Sequence, residues 1–593
     1  MKRIPLAFFF FVAFFLAIGV KLFDTQIVKH DHYAILAQSQ QQVTTTIQPE
    51  RGKIYASGRV LATNEEAYLV FGNPQKIEDA KEVAEKLAPL LLEDKRFTTY
   101  NSLESDLGKK EDVDPTKPKS LLVARLTELL SSQKLQWVSL ARKVPDNVVA
   151  KLRKLEIEGL GFTLDRRRFY PEGNLASSLL GFVAFSEEGF DRGYNGLEGS
   201  YDGDLKGNKG KMTADYSAYQ DPILAGEVNS LAVQNGADLY LTINRGVQSL
   251  LDKELVEGVK RFGAKSGSYV VLESATGRVL AMGNYPNFNP GNFSPFTSPK
   301  AGRPTYPPTL RNAAISSSYE PGSVMKPITI ATALETGKIK PDWTFNDTGP
   351  LKIGGATINT WNGQHWGKQD LSQLLQKSNN VGAARVAQAA GREGLRSSFT
   401  NFGFGAKLGV DLQGEEAGTV KELKDWRNVD LANAGFGQGV AVTTLQMASA
   451  YAAFANGGIL MKPYVVEKIV DQSGREVKFS PQPIRRVISA KTVGVVVELL
   501  RSAVEGGESI ILHNLSYRVS GKTGTAEIPE KGGYSRTRTN TIFVGFPFKE
   551  KNFVMIFRLE EPRTSTFSAT TVVPLWAEAF QEIAPLLGVL PSR

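Results

Sequence analysis

The sequence predicts an α+β protein behind an N-terminal transmembrane helix. An uncharged apolar run occupies residues 4–20, and strand-like segments lie at both ends of residues 236–593 with helical spacing between them. Strands at the two ends with helices between indicate a central antiparallel sheet faced by helices. We therefore expect a cytoplasmic stub and anchor at 1–23, an elongated mixed domain at 24–235, here called the pedestal, and the sheet domain at 236–593.

The apolar run has the length of a membrane span. Extended by Leu22 and Phe23, it approaches the ~20 residues that cross a hydrocarbon core. Lys2 and Arg3 precede it, and positive residues stay on the cytoplasmic side. A cleaved signal peptide is the alternative, although its apolar region is usually shorter. We expect an uncleaved single-pass anchor in the cytoplasmic (inner) membrane, with the N-terminus in the cytoplasm and the later domains outside it.

The pedestal sequence predicts short, irregular elements. Residues 51–64 predict two short strands around a Ser-Gly turn, and residues 145–160 predict a helix after an Asp or Asn cap. Residues 101–120 are polar and contain proline, which is typical of an exposed loop. Residues 207–222 are rich in glycine and polar residues and predict a connector to the second domain.

The C-terminal domain has clear periodic patterns. Apolar residues at i, i+3 and i+4 predict helices, and β-rich runs around turn signals predict hairpins. The expected elements are a strand at 237–243, a helix at 244–263, a hairpin at 268–284, helical segments over 311–400, a second hairpin at 540–560 and a closing helix at 570–588. The two hairpins would supply the central sheet.

The composition excludes several catalytic classes. The chain has 593 residues, no cysteine and four histidines. The His-Glu-x-x-His pattern of zinc hydrolases and the Gly-x-Ser-x-Gly elbow do not occur. Acyl transfer would therefore use hydroxyls, lysines and carboxylates, and no metal or organic cofactor is expected. The net charge of +9 is scattered among acidic residues, which argues against nucleic-acid binding and suits an anionic envelope surface.

The first candidate site lies in YEPGSVMKP, residues 319–327. Ser323 and Lys326 are i and i+3, so they share a helix face. Unpaired N–H groups at a helix start can stabilise an oxyanion, and a lysine kept neutral by burial and nearby cations could take the serine proton. The alternative is a capping serine beside a surface lysine. Because Pro327 cannot donate to the Ser323 carbonyl, we interpret it as strain beneath a nucleophile.

The second candidate site is a polar corner. Ser378 and Asn380 stand where one helical run ends and the next begins. They could present a hydroxyl and an amide to a cleft. On its own, the pattern favours an ordinary N-cap of the second helix.

The third candidate site follows a strand-like pattern before the second hairpin. It consists of Lys522, Thr523, Gly524 and Thr525. A lysine and two threonine hydroxyls can hold a carboxylate, and Gly524 would let a substrate approach the backbone. The alternative is an edge strand blunted by lysine and glycine.

Together the three sites read Ser-x-x-Lys, Ser-x-Asn and Lys-Thr-Gly in chain order, the set found in penicillin-binding proteins and class A β-lactamases. The chain resembles a class B, monofunctional penicillin-binding protein, a peptidoglycan D,D-transpeptidase. RGKIYASGRVLATN and RRFYPEGNLASSLLGF are similar to that family's pedestal, and GFGQGVAVTTLQMASAYAAFANGG to its transpeptidase domain. Ala56 and Ser57 stand where the family usually has Asp-Arg, and Thr444 where it has proline. These departures lie outside the three catalytic motifs.

The resemblance implies a role for each catalytic residue. Ser323 would attack the carbonyl between the terminal D-alanines of a stem peptide, and Lys326 would take its proton. The backbone N–H groups of Ser323 and Thr525 would form the oxyanion hole. Ser378 and Lys522 would pass a proton to the leaving D-alanine nitrogen.

The resemblance also implies how substrates and inhibitors bind. Asn380 would hold the backbone amide of the stem peptide. Thr523 and Thr525, with Lys522 and beside Gly524, would bind its terminal carboxylate. An amine from a second stem would then attack the acyl-enzyme and form the cross-link. β-Lactam antibiotics would acylate the same serine.

The resemblance extends to a cellular role. The single short anchor and the compact pedestal favour the septal, division type over the elongation (rod-shape) type. The expected partner is a polytopic membrane glycosyltransferase of the division machinery. A β-lactamase would lack the pedestal, and a β-lactam sensor would need several transmembrane segments and a cytoplasmic output domain.

Overall fold

The chain forms two compact units. One joins Met1–Arg51 to Lys206–Gly236, and the other joins Gly52–Leu205 to Ala237–Arg593. The computed structural model describes residues 3–33, 42–101, 117–186, 190–215, 229–292, 308–507, 509–530 and 533–592. The domain boundaries expected at 23 and 235 stay a prediction.

The first unit begins with the apolar helix. An α-helix spans Arg3–Phe23 and continues into a π-helical turn at Asp24–Val28. Within the part of the chain that the structure describes, Ile4–Val28 is the one helix long and apolar enough to cross a membrane, with a mean hydropathy of 2.5. The predicted apolar segment is therefore one continuous helix of spanning length.

The first unit also contains a three-stranded antiparallel sheet. Gly210–Asp215 is its middle strand, between Gln42–Ile47 and Asn229–Leu231. The prediction of a connector at 207–222 is therefore wrong over Gly210–Asp215. This segment has a weak propensity for β-structure, but its pairing with a strand on each side stabilises it as a strand. The rest of that connector, from residue 216, lies outside the described residues.

Two sheets of the second unit involve the pedestal. The six-stranded sheet also takes three strands from residues 236–593, and the three-stranded sheet lies wholly within the pedestal. In spatial order, the six-stranded sheet contains Glu476–Lys478, Val466–Val470, Asp238–Leu241, Ile54–Ala56, Arg59–Glu65 and Arg167–Phe169. The three-stranded sheet contains Val138–Pro145, Ala67–Gly72 and Leu160–Leu164, and the helices Ala80–Leu91, Pro118–Leu130 and Asp146–Arg153 share its hydrophobic core. The two strands predicted within 51–64 are confirmed, joined by Ser57 and Gly58 at φ values of 48° and 72°.

Two local predictions in the pedestal need correction. The helix expected over 145–160 covers only Asp146–Arg153, and Pro145 precedes it without a side-chain cap. It ends early because Glu156 and Gly159 take left-handed backbone angles. Within the loop expected at 101–120, residues 102–116 lie outside the described residues. A helix begins at Pro118, since proline suits the first helical turn.

A five-stranded antiparallel sheet, here called the main sheet, forms the centre of the second unit. Its order is Val279–Tyr285, Ser266–Glu273, Phe553–Glu560, Gly533–Pro547 and Val519–Glu530. Both predicted hairpins are confirmed. Alternate residues belong to opposite hydrophobic cores, with Val554 and Ile556 in one and Met555 and Phe557 in the other. Helices Arg245–Arg261 and Val572–Leu586 close one face, and the buried helix Thr444–Ala455 closes the other.

The region expected to be helical over 311–400 also contains four short strands. Its helices are Ala313–Ser316, Lys326–Glu335, Leu371–Gln376 and Asn380–Asn401. Between them, Thr344–Asp347 pairs with Gly367–Asp370, and Leu351–Ile353 pairs with Ala356–Ile358 around Gly354 and Gly355. Strands of three or four residues are too short to show a period, so the prediction missed them.

Smaller elements complete the second unit. The helices are Phe97–Tyr100, Ser177–Leu180, Gly196–Ser200, Asp202–Leu205, Asn428–Ala434, Ala490–Glu505 and Ile510–His513, and the strands are Phe182–Phe185, Asp191–Tyr194, Ile459–Met461 and Pro483–Arg486.

A buried ion pair links the six-stranded sheet and the helix Gly196–Ser200. The Arg168 guanidinium donates to Glu198 at 2.7 Å, and both side chains are almost fully buried. We expect Arg168→Met to cost about 3–5 kcal/mol of unfolding free energy, because Glu198 stays buried without its cation. Denaturant unfolding of the full chain in detergent measures this. The double variant Arg168→Met/Glu198→Leu should recover most of the loss, and equal losses in both variants would contradict the explanation.

Candidate active site

The nucleophile candidate sits in a tight turn before a helix. Ser323 lies in the 3₁₀ turn Gly322–Met325, which runs directly into the helix Lys326–Glu335. The Ser323 carbonyl accepts a hydrogen bond from the Lys326 N–H. The prediction of strain from an unmatched carbonyl is therefore wrong, since the 3₁₀ turn supplies the donor that Pro327 lacks.

Three glycines let other segments approach this turn closely. A Cβ at Gly437 would lie 2.1 Å from the Gly322 carbonyl oxygen, and a Cβ at Gly524 would lie 2.8 Å from the Pro321 carbonyl oxygen. Gly322 itself has φ 59°. At Gly524 the close neighbour in the structure is the nucleophile turn. The expected approach of a substrate to the same backbone stays a prediction.

Lys326 is completely buried behind Ser323. Its Nζ lies 2.9 Å from Ser323 Oγ, and it donates to the Ser378 carbonyl at 2.6 Å and to Asn380 Oδ1 at 2.8 Å. Burial lowers the pKa of this amine well below its usual value, and the positive charge of Lys522 lowers it further. The amine is thus suited to act as a base toward the serine hydroxyl.

The polar corner meets the same lysine. Ser378 takes φ 50° between the helices Leu371–Gln376 and Asn380–Asn401. Its Oγ lies 3.2 Å from the Nζ of Lys326 and 3.2 Å from the Nζ of Lys522. The helix cap is Asn379, whose side chain accepts from the Gly382 N–H. Capping therefore leaves the Ser378 hydroxyl and the Asn380 amide available to the cleft.

The third motif lies on the edge strand of the main sheet. Lys522 is almost fully buried, while Thr523 and Thr525 are partly exposed. The Lys522 amine donates to Thr523 Oγ1 at 3.1 Å, and Thr525 Oγ1 lies 2.9 Å from the hydroxyl of Ser568. The strand is an edge, as the alternative interpretation expects, and its polar side chains line the cleft. Binding of a carboxylate by these side chains stays a prediction.

The family of this chain is shown by the two domains that known family profiles match in it. A family profile described as the penicillin binding protein transpeptidase domain matches residues 267–578, and one described as the penicillin-binding protein dimerisation domain matches residues 46–241. The chain belongs to the class B penicillin-binding proteins. It is a transpeptidase of the serine acyl-enzyme type.

Known relatives of this penicillin-binding protein match along nearly the whole chain. Stage V sporulation protein D of Bacillus subtilis is 30% identical over 100% of this chain and 87% of its own length. Peptidoglycan D,D-transpeptidase FtsI of Escherichia coli is 29% identical over 93% of this chain and 85% of its own length.

Solved structures share the architecture. A peptidoglycan synthetase from Bifidobacterium adolescentis superposes with a TM-score of 0.69 at 24% identity, covering 93% of this chain and 98% of that chain. Apo penicillin-binding protein 3 of Mycobacterium tuberculosis gives a TM-score of 0.62 at 28% identity, covering 72% and 92%. The α+β fold predicted from the sequence is thereby confirmed.

All three motifs of this penicillin-binding protein line one cleft of about 830 Å³. At its lip, the rings of Trp361 and Phe567 pack edge to face with centroids 5.4 Å apart, and roughly half of each side chain is exposed. Ser568 lies beneath and donates to the Gly524 carbonyl at 2.5 Å. Sequence reasoning missed these three residues, because no short motif marks them and only the tertiary fold brings them to the cleft.

Proposed function

We propose that this penicillin-binding protein cross-links peptidoglycan stem peptides through an acyl-enzyme on Ser323. The observation that carries the proposal is a chain of contacts from Ser323 Oγ through Lys326 Nζ and Ser378 Oγ to Lys522 Nζ. Such a chain can take a proton from the nucleophile and return one to a leaving group.

In the proposed acylation, Ser323 Oγ attacks the carbonyl between the two terminal D-alanines. Its proton passes to Lys326, and a new C–O bond replaces the C–N bond. The negative oxygen of the tetrahedral intermediate accepts from the backbone N–H groups of Ser323 and Thr525. The leaving D-alanine nitrogen receives its proton from Ser378, which Lys522 resupplies.

Substrate binding uses the two sides of the cleft. Lys522, Thr523 and Thr525 hold the terminal carboxylate with one cation and two hydroxyls. Asn380 holds the amide backbone of the stem peptide. Deacylation reverses the proton path. The amine of a second stem attacks the acyl carbonyl and loses a proton through Ser378 to Lys522. The C–O bond then breaks, Ser323 Oγ takes back the proton held by Lys326, and a peptide cross-link is left.

The full chain, incubated with a stem pentapeptide and an amine acceptor, tests the activity. We expect equal amounts of released D-alanine and cross-linked product by mass spectrometry, because each acylation expels one D-alanine. A fluorescent penicillin should label the protein stoichiometrically and block both products. Rapid turnover of a chromogenic cephalosporin would instead identify a β-lactamase.

We further propose a division role at the inner membrane. The positive residues before the apolar helix favour a cytoplasmic N-terminus, and the relatives that match nearly the full chain include FtsI and a sporulation protein. The partner would be a polytopic membrane glycosyltransferase of the division machinery. Depletion in a rod-shaped host separates the alternatives, since filaments indicate division and round cells indicate elongation.

A further inference from the structure

A small strand pair packs against the polar corner of the active site. Thr344–Asp347 pairs with Gly367–Asp370, and its last residue, Asp347, has a fully buried side chain. One carboxylate oxygen accepts from Asn379 Nδ2 at 2.7 Å. The other lies 2.6 Å from Nδ1 of His365.

These contacts leave Asn379 no freedom to turn. Its Nδ2 also donates to Gln369 Oε1 at 2.8 Å, while its Oδ1 accepts from the Gly382 N–H at 3.0 Å. Both N–H donors of the amide and one of the two acceptor positions of its oxygen are therefore bonded. Because the amide is completely buried, breaking any of these bonds would leave a polar group unsatisfied.

The fixed asparagine stands between two groups that contact Lys326. Ser378 precedes it and holds φ 50°, a left-handed angle that is unfavourable for a residue with a Cβ. Asn380 follows it and accepts from the Lys326 amine. A shift of the asparagine would therefore move both the hydroxyl and the amide relative to the nucleophile.

His365 completes the arrangement from the outside. About a fifth of its side chain is exposed, and its Nδ1 faces the carboxylate. A ring nitrogen facing a carboxylate carries the proton in both the neutral and the charged ring. The histidine thereby orients Asp347 toward Asn379, as a carboxylate partner orients a ligand histidine in metal sites.

We propose that Asp347, oriented by His365, is a positioning residue that sets the Ser378 hydroxyl for proton delivery to the leaving nitrogen. This inference rests on the proposed transpeptidase function. It assigns a task to the strand pair Thr344–Asp347 and Gly367–Asp370, which supplies both acceptors of the Asn379 N–H groups.

Two acyl donors with different leaving groups test the proposal in the full chain. Asp347→Asn keeps the size of the side chain and removes the charge. We expect its limiting acylation rate with an amide donor to fall about tenfold with KM within about twofold, since general acid catalysis is impaired while binding is kept. A thiolester analogue should react at nearly the wild-type rate, because a thiolate leaves without a proton. Asn346→Ala, an exposed residue of the same strand, is the matched control.

His365→Gln provides a second variant should Asp347→Asn fail to fold. We expect the same preference, with the amide donor slowed and the thiolester spared. Equal slowing of both donors, or a change confined to KM, would overturn the positioning role. If the wild-type protein forms no acyl-enzyme with either donor, the proposed function itself fails.

Discussion

Replacing Ser323 with alanine is expected to abolish acyl-enzyme formation, a loss of about 10⁶-fold in acylation rate. The Ser323 hydroxyl lies 2.9 Å from the buried amine of Lys326, in the turn that leads directly into a helix. Its neighbour in the chain of contacts, Ser378, has two lysine amines around it and serves as a proton carrier in the proposed mechanism.

Labelling with a fluorescent penicillin, followed by peptide mapping of the adduct, measures the expected loss. Ser318→Ala is a suitable control, since this serine is exposed and lies five positions earlier in the same segment. It should label like the wild type. Equal labelling of Ser323→Ala would show that another hydroxyl is the nucleophile.

Lys326→Met is expected to slow acylation by about 10³-fold, the size of a lost general base. Methionine matches the length of the lysine side chain and fits a fully buried position. The stopped-flow rate of penicillin acylation measures the effect. A variant that retains more than about a tenth of the wild-type rate would rule out the lysine as the base.

The same substitution should not destabilise the protein at neutral pH. Burial first, and the charge of Lys522 second, hold the folded-state pKa of Lys326 well below the unfolded value near 10.5. Between the folded-state pKa and 10.5 the unfolded chain binds more protons, so this amine lowers stability below pH 10.5, and the cost disappears as pH rises above 10.5. We expect Lys326→Met to melt at or above the wild-type temperature. A lower melting temperature would show that its hydrogen bonds outweigh the cost of burying it.

The regular elements of the fold could be predicted because each carries a local signal. The hairpins of the main sheet consist of continuous β-rich runs around turns, and the helix Arg245–Arg261 has a continuous apolar stripe. The strand pair at Thr344–Asp347 could not be found in this way. Four residues with two buried side chains fit a strand or a helix equally well, and its pairing with residues 367–370 is a tertiary event.

The candidate site could be located from the sequence where short motifs mark it, and the roles of its residues stay a prediction. Six of the eight expected residues line one cleft, and Lys326 contacts Ser378 and Asn380 of that cleft, because each motif has a fixed spacing that its local element preserves. The sequence could not show which of residues 378–380 caps the following helix, because all three side chains are polar and can accept a hydrogen bond from its first turn. In the structure the cap is Asn379. Ser568 and Asp347 lie 43 and 32 residues from their partners Thr525 and Asn379, beyond any local pattern.

The glycine contacts around the nucleophile turn limit how this protein could become drug resistant. A side chain at Gly437 or Gly524 would collide with backbone atoms, which cannot rotate away. Substitutions that change the shape of the turn are therefore expected to cost the transpeptidase reaction as well. We expect tolerated changes instead at Phe567, whose exposed ring lies at the lip of the cleft, whereas Trp361 donates its indole N–H to the Lys377 carbonyl beside Ser378. Antibiotics that contact the turn and avoid the Phe567 ring should therefore be the least affected by substitutions.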